Sequence, residues 1–521
     1  MATATFWELF EAQANRSPES IAVHDQGVNY TYRDLREGAE GFAAWLESAG
    51  TNPGDRIAMI LTNCVQYVAC YLGILKAGRV VVALNPDMAH EELEVILDDC
   101  RPSVVVLGEK GTSFGETLQR LRERISAPQR ILRVAGRLDL RMVLDSPAAR
   151  DEESIDRDTP TPLPKKLRAL AQIIYTSGTT GRPKGVMLSQ RNLISNCESI
   201  VQSLSLKASD SVLAVLPFFY SYGNSVLLTH LAVGGRLVLA TEFVFWNRIL
   251  DLMQQQRVTG FAGVPSTFAM LLFRSDLGQR RFAHLRYLTC AGGGLFPSHV
   301  DRVQELLPKC RLFLMYGQTE ATARLSVLMP HEIDRKPGSI GRAIPGVTLR
   351  LLDDMGRPMP PQELGEIVAR GPNLMMGYWN DPEGTRQVLR PEGLRTGDLA
   401  VADEDGYFYI VGRKSDIIKS GSHRISPHEI EDVLLRHEDV AEAAVVGQPD
   451  QIWGEVPVAF VVPAGGPAAI DADALLERCR RTLPRYKLPK RIHILDALPR
   501  TESGKIRRLE LQRFSEEEVR A

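Results

Sequence analysis

A loop rich in glycine, hydroxyl and basic side chains is the segment whose composition points most directly to chemistry. The residues that follow the apolar run IIY are Thr176, Ser177, Gly178, Thr179, Thr180, Gly181, Arg182, Pro183, Lys184 and Gly185. Glycines let the backbone approach an anion closely, and hydroxyl and amide groups donate hydrogen bonds to it. The composition of this loop therefore predicts a binding site for a polyphosphate.

The Walker A loop, G-x-x-x-x-G-K-[ST], is the first alternative for such a site, and it does not fit. Lys184 follows Pro183 and precedes Gly185, whereas the Walker lysine stands between a glycine and a serine or threonine. A flexible surface turn is the second alternative, because Gly/Thr turns are common. The length of the segment and its Pro-Lys-Gly end favour phosphate binding over a simple turn.

Four further motifs follow the loop in order: YGQTEA (316–321), RTGDLA (395–400), YIVGRKSDIIK (409–419) and PRTESGKIRR (499–508). Together with YTSGTTGRPKGVMLSQRNL they resemble the adenylate-forming superfamily, and within it most closely the AMP-forming acyl-CoA synthetases. The superfamily also includes adenylation domains of nonribosomal peptide synthetases and beetle luciferases. The resemblance covers essentially the whole chain. It implies a reaction in which a carboxylate attacks the α-phosphate of MgATP, and a thiol then takes the acyl group and releases AMP.

The resemblance also assigns nucleotide-binding roles to individual residues. Those expected to hold the β- and γ-phosphates are Thr176, Ser177, Gly178, Thr179, Thr180 and Lys184. In YGQTE, Tyr316 and Gly317 would lie against the adenine, Thr319 would contact phosphate, and Glu320 would ligate Mg²⁺, since a carboxylate suits a hard cation.

Two further motifs would complete the nucleotide site. Asp398 would bind the ribose hydroxyls, because a carboxylate only accepts hydrogen bonds and a vicinal diol can donate two. Arg413 would contact ribose or phosphate. The triplet Gly292, Gly293 and Gly294 would form one wall of the adenine and acyl pockets, although a plain tight turn is the simpler alternative for it.

Lys505, in TESGK, is the main catalytic candidate by the same resemblance. It would draw the attacking carboxylate and the α-phosphate together and stabilise the transition state, which leaves Thr319 and Glu320 as the other catalytic residues. Lys419 belongs to the face that the family presents during thiol transfer. A rotation of the C-terminal domain near 413–415 would exchange the two lysines.

The chain departs from the family pattern in the C-terminal domain. The hinge position, usually Asp or Lys, is Ser415. Where pantetheine passes the backbone the family usually has glycine, and here Ser422 follows Gly421. We expect Ser422 still to admit a pantetheine arm beside Lys419 and Gly421.

The acid pocket is expected around Phe219, Tyr220, Tyr222, Gly223 and Gly294. Tyr220 stands where amino-acid activators carry aspartate. An ammonium group buried there without a carboxylate would be unfavourable by several kcal/mol, so an α-amino acid is not expected. The aromatic residues favour an apolar acid, fatty or aryl, and packing in the core is the alternative role for them.

The acyl acceptor is expected to be coenzyme A. An acyl carrier protein with its phosphopantetheine is the alternative, because the basic residues near 485–491 would suit either partner. A catalytically inactive nucleotide-binding homologue is a third option. Retention of Lys184, Glu320 and Lys505 argues against it.

The elements that must position these residues indicate an α/β fold. Short β-branched runs such as RIAMI, VVVAL and RLVLA alternate with helical stretches, which favours mainly parallel sheets covered by helices. After residue 350, turn signals between alternating runs predict a small antiparallel lobe. We expect an N-terminal domain over 1–412 and a mobile α+β domain over 413–521. Ser426 and Glu429 have the spacing of a capping box.

Composition sets the remaining limits. The 521 residues carry 62 basic and 64 acidic side chains, and this balance gives no indication of nucleic-acid binding. Seven cysteines without a CxxC pair favour a reducing compartment, which points to the cytoplasm. The N-terminus has neither a basic region nor a continuous apolar run, and no transmembrane segment is expected. A homodimer is one option for the oligomeric state.

Overall fold

The computed structural model describes residues 5–125, 130–134, 143–144, 170–176, 183–240, 246–414, 416–421, 423–437, 439–464, 470–500 and 506–514. The predicted site residues that lie outside these ranges are Ser177, Gly178, Thr179, Thr180, Ser415, Ser422 and Lys505. Their roles stay predictions.

The first sheet is built around parallel strands. Its strands in the described ranges are β1 (Ile21–Asp25), β2 (Val28–Thr31), β10 (Ser211–Ala214), β11 (Arg236–Leu239), β12 (Gly260–Gly263), β13 (Tyr287–Cys290), β14 (Arg311–Tyr316), β15 (Ser326–Leu328) and β16 (Arg342–Ala343). Their spatial order is β16-β15-β14-β13-β12-β10-β11-β1-β2. Neighbours from β14 to β1 are parallel, and β2, β15 and β16 join antiparallel at the edges.

The second sheet is also built around parallel strands. Its described strands are β3 (Arg56–Ile60), β4 (Val80–Leu84), β5 (Val104–Leu107), β6 (Arg130–Arg133), β7 (Val143–Leu144), β8 (Leu170–Thr176), β9 (Lys184–Ser189) and β19 (Gly377–Tyr378), in the order β19-β9-β8-β4-β3-β5-β6-β7. The hairpin β8–β9 carries the predicted phosphate loop at its turn. The antiparallel pairing of β19 with β9 brings residues 377–378 beside that hairpin.

Helices connect the strands and pack on the sheets. They are α1 (Phe6–Arg16), α2 (Tyr32–Ser48), α3 (Val65–Lys76), α4 (His90–Cys100), α5 (Gly115–Ile125), α6 (Gln190–Leu204), α7 (Ser221–Val233), α8 (Trp246–Gln255), α9 (Pro265–Phe273), α10 (Pro297–Leu306), α11 (Pro382–Val388), α12 (Pro427–Leu435), α13 (Ala472–Thr482) and α14 (Arg508–Arg513). Capping boxes start α2 at Thr31 and α6 at Ser189, which fixes where both helices begin.

A smaller antiparallel sheet follows residue 347, as the turn signals predict. It consists of β17 (Thr348–Leu352), β18 (Gly365–Arg370), β20 (Leu389–Arg390), β21 (Gly393–Ala402) and β22 (Phe408–Arg413). One buried apolar cluster includes Val81, Val212 and Ile367, and so joins this sheet to the two larger ones. The three sheets therefore form one body, because they share a core.

The residues after Arg413 form an α+β unit. Its described strands are β23 (Ile418–Ser420), β24 (His423–Ile425), β25 (Val440–Asp450), β26 (Gly454–Pro463) and β27 (Ile492–Ile494). Helices α12 and α13 contribute Leu434 and Leu475 to an apolar cluster of its own. The predicted α/β class, with an antiparallel lobe and a small α+β unit, is confirmed. The boundary between 412 and 413 stays a prediction.

The capping box predicted for α12 is wrong. Ser426 does occupy the N-cap, but its side chain makes no capping hydrogen bond. Its hydroxyl donates instead to the carbonyl of Val411, and Glu429 binds Lys487 Nζ at 2.6 Å. Contacts with residues distant in the sequence replace the local pair.

A search of the described residues found no helix with both the length and the apolar character needed to cross a bilayer.

Candidate active site

The candidate site lies where the carboxyl end of β14 meets the antiparallel sheet. Tyr316 is the last residue of β14, Asp398 lies in β21, and Arg413 ends β22. Asp398 and Arg413 are direct partners in the β21–β22 ladder, which sets their side chains side by side. Ligands of open α/β sheets bind beyond the carboxyl ends of the strands. The site is therefore in the expected place for this architecture.

Asp398 is the centre of a hydrogen-bonded cluster. The Tyr316 hydroxyl donates to its Oδ2 at 2.6 Å, and Arg413 Nε donates to its Oδ1 at 3.1 Å. Burial and the adjacent Asp398 carboxylate raise the pKa of Tyr316 well above its usual value, so the phenol remains a donor. The same carboxylate raises the pKa of Arg413. The result is a fixed carboxylate, 5% exposed, with lone pairs left for a further donor.

Glu320 is held in place by a second tyrosine. The Tyr378 hydroxyl donates to Glu320 Oε1 at 2.9 Å, and the Met375 backbone N–H donates to the Glu320 carbonyl at 2.8 Å. Burial first, and the Glu320 carboxylate second, raise the pKa of Tyr378. Tyr378 therefore stays protonated and fixes one carboxylate oxygen of Glu320.

Lys184 connects the phosphate loop to this pair. Thr176 and Lys184 face each other at the end of the β8–β9 hairpin, and Thr176 Oγ1 donates to the Lys184 carbonyl at 3.5 Å. The Lys184 ammonium lies 4.9 Å from the centre of the Tyr378 ring and 3.6 Å from Asp381 Oδ2. The stem of the loop is thereby placed next to Glu320. The four loop residues 177–180 are outside the described ranges.

A tight loop carries Thr319 between the two tyrosine clusters. A Cβ atom at Gly317 would lie 2.0 Å from the Ala323 carbonyl oxygen, so only glycine fits there. Thr319 Oγ1 donates to Ser221 Oγ at 3.2 Å, and Ser221 is the first residue of α7. The loop that holds Thr319 is thus joined to the first turn of α7.

The glycine triplet lies in the loop between β13 and α10. Gly292 has φ +86°, which favours glycine. A Cβ atom at Gly292 would contact Val264, and one at Gly293 would contact Pro265, at the start of α9; one at Gly294 would meet open space. The triplet is therefore a surface turn packed on α9 at one end and open at the other.

The residues predicted to form the acid pocket occupy different structural positions. Phe219 is buried in the core, and its ring packs edge-on against that of Tyr220 at 4.6 Å. A Cβ atom at Gly223 would lie 2.0 Å from the Pro217 carbonyl oxygen, so this glycine permits the close approach of α7 to the preceding turn. Tyr222 borders a cavity, and its hydroxyl bonds to the Thr289 carbonyl at 2.9 Å.

That cavity lies between α6, α7, β13 and β14 and holds about 20 Å³, room for about one water molecule. Its lining includes the side chains of Tyr222, His230, Tyr287, Thr289 and Arg324. Burial raises the pKa of Tyr222 to about 12, so its phenol is neutral.

The thiolation residues lie in the C-terminal unit. Lys419 is in β23 with an exposed side chain, and its backbone N–H donates to Glu455 Oε2 at 2.7 Å. Gly421 has φ +57° and its backbone N–H donates to the Trp453 carbonyl at 2.7 Å. Both of these partners, Glu455 and Trp453, also belong to the C-terminal unit. Lys414, beside the predicted hinge, binds Asp354 at 2.5 Å.

Glu320 fits a magnesium ion that arrives with a nucleotide. Among the described residues, no group of three or more His, Cys, Asp or Glu side chains is arranged to hold a metal by itself. Mg²⁺ usually takes one or two carboxylates, and phosphates and water complete its shell. A single oriented carboxylate beside a phosphate loop meets that requirement.

The sequence did not point to Ser221, Arg324, Tyr378 or Asp381. Tyr378 and Asp381 lie almost two hundred residues from Lys184 along the chain, and only the pairing of β9 with β19 brings them together. Arg324 stands three residues beyond the YGQTEA motif and carries no local signal of burial. Long-range packing, which periodicity cannot place, created these contacts.

Two mainly parallel sheets with an antiparallel lobe, an oriented Asp398 and a hairpin stem beside Glu320 are the features expected of an adenylate-forming enzyme. Residues 10–379 match the family described as AMP-binding enzyme, and residues 429–505 match the AMP-binding enzyme C-terminal domain. The chain belongs to the AMP-binding enzyme family.

Similar proteins cover nearly the whole chain. A feruloyl-CoA synthase of Amycolatopsis sp. is 37% identical over 504 residues, 96% of this chain and 97% of that protein. A long-chain-fatty-acid–CoA ligase of Salmonella typhimurium is 34% identical, with 97% and 93% covered. The crystal structure of the anthranilate CoA ligase AuaEII with anthranoyl-AMP superposes with a TM-score of 0.85 at 25% identity, covering 97% of this chain and 96% of that one. The present chain is an acid–thiol ligase of the acyl-CoA synthetase class.

Proposed function

We propose that this enzyme converts a fatty or aryl carboxylic acid with ATP to an acyl-adenylate and pyrophosphate, and then passes the acyl group to coenzyme A with release of AMP. The observation that carries the proposal is the cluster in which Asp398 is held by Tyr316 and Arg413. It offers an aromatic face for a base and a fixed acceptor for a ribose diol at one strand end.

The phosphates belong beside Lys184. The Thr176–Lys184 hairpin stem and Glu320 support a polyphosphate that runs from the Asp398 cluster toward the loop. Mg²⁺ held by Glu320 would neutralise charge on the phosphates. Tyr378 would keep the Glu320 carboxylate oriented, and Thr319 would donate to a phosphate oxygen.

The first half-reaction brings two anions together, so positioning and cations matter more than an acid or base. The acid's carboxylate oxygen attacks the α-phosphorus, and pyrophosphate leaves. Lys505 is the residue proposed to stabilise the charge that develops at the α-phosphate. Gly292, Gly293 and Gly294 are proposed as one wall of the adenine and acid pockets.

The acid is proposed to have an apolar body. Tyr220 offers no carboxylate to an α-ammonium group, which argues against an amino acid. Tyr220 and Tyr222 lie at the start of α7, and the Phe219 ring packs edge-on against Tyr220. The relatives, a feruloyl-CoA synthase and a long-chain-fatty-acid–CoA ligase, support both an aryl and a fatty acid.

The second half-reaction is proposed to follow a rotation of the C-terminal domain about Ser415. It would replace Lys505 at the site by the hairpin of Lys419, Gly421 and Ser422, along which the pantetheine arm would pass. The names of the relatives support coenzyme A, and a carrier protein is not favoured. All seven cysteines are free thiols, which supports the cytoplasm as the location. A homodimer is a further expectation, tested by light scattering.

Pyrophosphate exchange into ATP tests the first half-reaction. Purified enzyme is assayed with fatty acids of several lengths, benzoates, cinnamates and amino acids, and then with coenzyme A. We expect exchange with at least one apolar class and none with amino acids. Glu320→Gln should abolish exchange, whereas Glu332→Gln, which removes a carboxylate bound to Arg335 away from the site, should retain it. Exchange with amino acids alone would contradict the proposal.

A further inference from the structure

Asp99 is a carboxylate at an unfavourable place in its own helix. It lies in the last turn of α4, where the helix dipole favours cations, and that turn contains no basic residue. The cation at this helix end comes from another element. Arg56, in β3, donates from Nε to the Cys100 carbonyl at 2.8 Å and from Nη2 to the Arg101 carbonyl at 3.0 Å. The stabilising contacts of the Asp99 side chain therefore have to lie outside α4.

These contacts join Asp99 to the two strands that flank β9. Tyr175, in β8, donates from its hydroxyl to Asp99 Oδ2 at 2.5 Å. Asn380, two residues beyond β19, donates from Nδ2 to Asp99 Oδ1 at 3.0 Å. The Asp99 carbonyl accepts from Trp379 Nε1 at 3.2 Å and from Asn380 Nδ2 at 3.1 Å. Because the sheet runs in the order β19-β9-β8, one residue of α4 holds both neighbours of β9.

Gly185 permits close packing of β9 between these neighbours. A Cβ atom at Gly185 would lie 3.1 Å from the Tyr175 ring and 3.1 Å from the Trp379 Cβ. The Trp379 backbone N–H donates to the Gly185 carbonyl at 2.7 Å. Burial raises the pKa of Tyr175, so its phenol remains a donor to Asp99. The strand that begins at Lys184 is thus enclosed by two aromatic side chains, and both bond Asp99.

The strands held by Asp99 also carry the groups proposed to face the phosphates. Lys184 is the first residue of β9, and its ammonium lies 3.6 Å from Asp381 Oδ2. Tyr378, in β19, donates to Glu320 Oε1. A shift of the segment 377–381 relative to β9 would therefore change the separation between the Lys184 ammonium and the Glu320 carboxylate.

We propose that Asp99 is a positioning residue for the phosphates of ATP: it ties β8 and the segment 377–381 to the end of α4 and so sets the separation between Lys184 and Glu320. The inference rests on the proposed function, because it takes these two side chains as the groups that handle the β- and γ-phosphates. Its effect is selective. MgATP depends on Asp99, whereas AMP lacks both of those phosphates and binds through the Asp398 cluster.

Equilibrium binding of MgATP and of AMP, measured by calorimetry without acid or coenzyme A, tests this selectivity. Asp99→Ala should raise the Kd of MgATP about 5- to 50-fold, because a misplacement of about 1 Å weakens aligned contacts strongly. The Kd of AMP should stay within about twofold. Asp99→Asn should give an intermediate Kd for MgATP, because its amide oxygen can still accept one of the two side-chain bonds. Glu94→Gln, which alters an ion pair with Arg120 on the same helix, should match the wild type.

The alternatives give different results. Equal weakening of MgATP and AMP by Asp99→Ala would identify a general structural role and overturn the proposal. Lys184→Ala tests the proposed phosphate site separately, and it should weaken MgATP but not AMP. If Lys184→Ala weakens MgATP and Asp99→Ala does not, the positioning role alone is wrong. If Lys184→Ala has no effect on MgATP, the proposed phosphate site is wrong and the role of Asp99 falls with it.

A second variant keeps the test available if Asp99→Ala does not fold. Tyr175→Phe removes the donor to Asp99 Oδ2 and keeps the ring that packs beside Gly185. It should raise the Kd of MgATP about 2- to 10-fold and leave the Kd of AMP unchanged. Wild-type binding of MgATP by a folded Tyr175→Phe protein would contradict the proposal.

Discussion

Two regions of the candidate site differ in how their buried charges are paired: the nucleotide end, where ATP is proposed to bind, and the acid end around Tyr222, where the carboxylic acid is proposed to bind. At the nucleotide end, Asp398 is held by Tyr316 and Arg413, and Glu320 is held by Tyr378, so the fixed carboxylates are bonded to partners from other elements. At the acid end, Arg324 is buried beside an aromatic ring with one nitrogen unfilled. The described carboxylates of the nucleotide end thus have partners within the protein, whereas the guanidinium at the acid end has one nitrogen without an acceptor.

The two ends also differ in how far the sequence motifs cover them. The nucleotide end is built from the ordered motifs of the sequence. Tyr316 and Glu320 lie within residues 10–379, which match the AMP-binding enzyme family, whereas Asp398 and Arg413 lie outside both matched ranges. The acid end is built from side chains outside those motifs. Changes at the two ends should therefore have separable effects on ATP and on the acid.

The largest effect is expected from Lys505→Ala, which acts at the nucleotide end. Loss of one cation from the developing charge should lower the rate of adenylation by about 10²- to 10³-fold or more. Thiolation of a supplied acyl-adenylate should continue, since Lys505 is not proposed to act in that half. Single-turnover assays of each half measure both rates, with Lys309→Ala at an exposed position as the control. Equal losses in both halves would refute this division.

Low pH should destabilise the protein through protonation of His230, a buried residue of α7. Burial lowers the pKa of His230 to about 4, and its Nε2 lies 2.8 Å from the Tyr287 hydroxyl, with Asp210 and Arg286 nearby. The unfolded state binds a proton near pH 6.5, but the folded state does so only near pH 4. The free energy of unfolding should therefore fall by up to about 3 kcal/mol as the pH drops across this window.

Urea unfolding of His230→Gln and of the wild type across that range measures the difference. The variant should have a flatter pH dependence, because it lacks the titrating ring. His331→Gln changes an exposed histidine and should leave the wild-type slope unchanged. Parallel curves for the wild type and His230→Gln would contradict the assignment.

Asp398→Asn should affect ATP far more than the acid. The amide keeps the shape but loses the charge that Arg413 and the ribose require, so KM for ATP should rise about 10- to 100-fold. KM for the acid should stay within about twofold, as expected for ends that work independently. Asp403→Asn, which alters an ion pair with Lys336 elsewhere in the molecule, is the control. A joint rise of both KM values would break the separation of the two ends.

The smallest effect is expected from Tyr222→Phe, a change at the acid end. Tyr222→Phe removes a hydroxyl that bonds Thr289 but leaves the ring beneath Arg324, so KM for the acid should rise about 2- to 10-fold. KM for ATP should not change. Tyr486→Phe, at an exposed position in the C-terminal unit, is the control. A change in KM for ATP alone would contradict the assignment of Tyr222 to the acid end.

The sequence predicted more of the nucleotide end than of the acid end. The resemblance named Tyr316, Asp398 and Arg413 separately, and the structure brings them into direct contact. The strand runs RIAMI and VVVAL lie in β3 and β4, because β-branched residues fill buried parallel strands. Ordered motifs and periodicity sufficed where the residues lie in regular elements.

Elsewhere the decisive contacts are long-range. The hydroxyl of Ser426 bonds Val411 in place of its own helix, because the last strand before the hinge supplies a competing acceptor. Tyr378 reaches Glu320 only through strand pairing between distant segments. Arg324 looks like a surface arginine in the sequence, and only the packing of α6, α7 and β14 buries it. Local rules carry no information about such partners.

The loop between Tyr316 and Arg324 has an evolutionary consequence. Gly317 lies against the Ala323 carbonyl, and two asparagines clamp the end of the loop, so neither an insertion nor a deletion can be absorbed there. Tyr316, at one end of the loop, is proposed to contact the nucleotide, and Arg324, at the other end, packs on the Tyr222 ring. Side chains on this loop could therefore change during evolution while the length of the loop stays fixed.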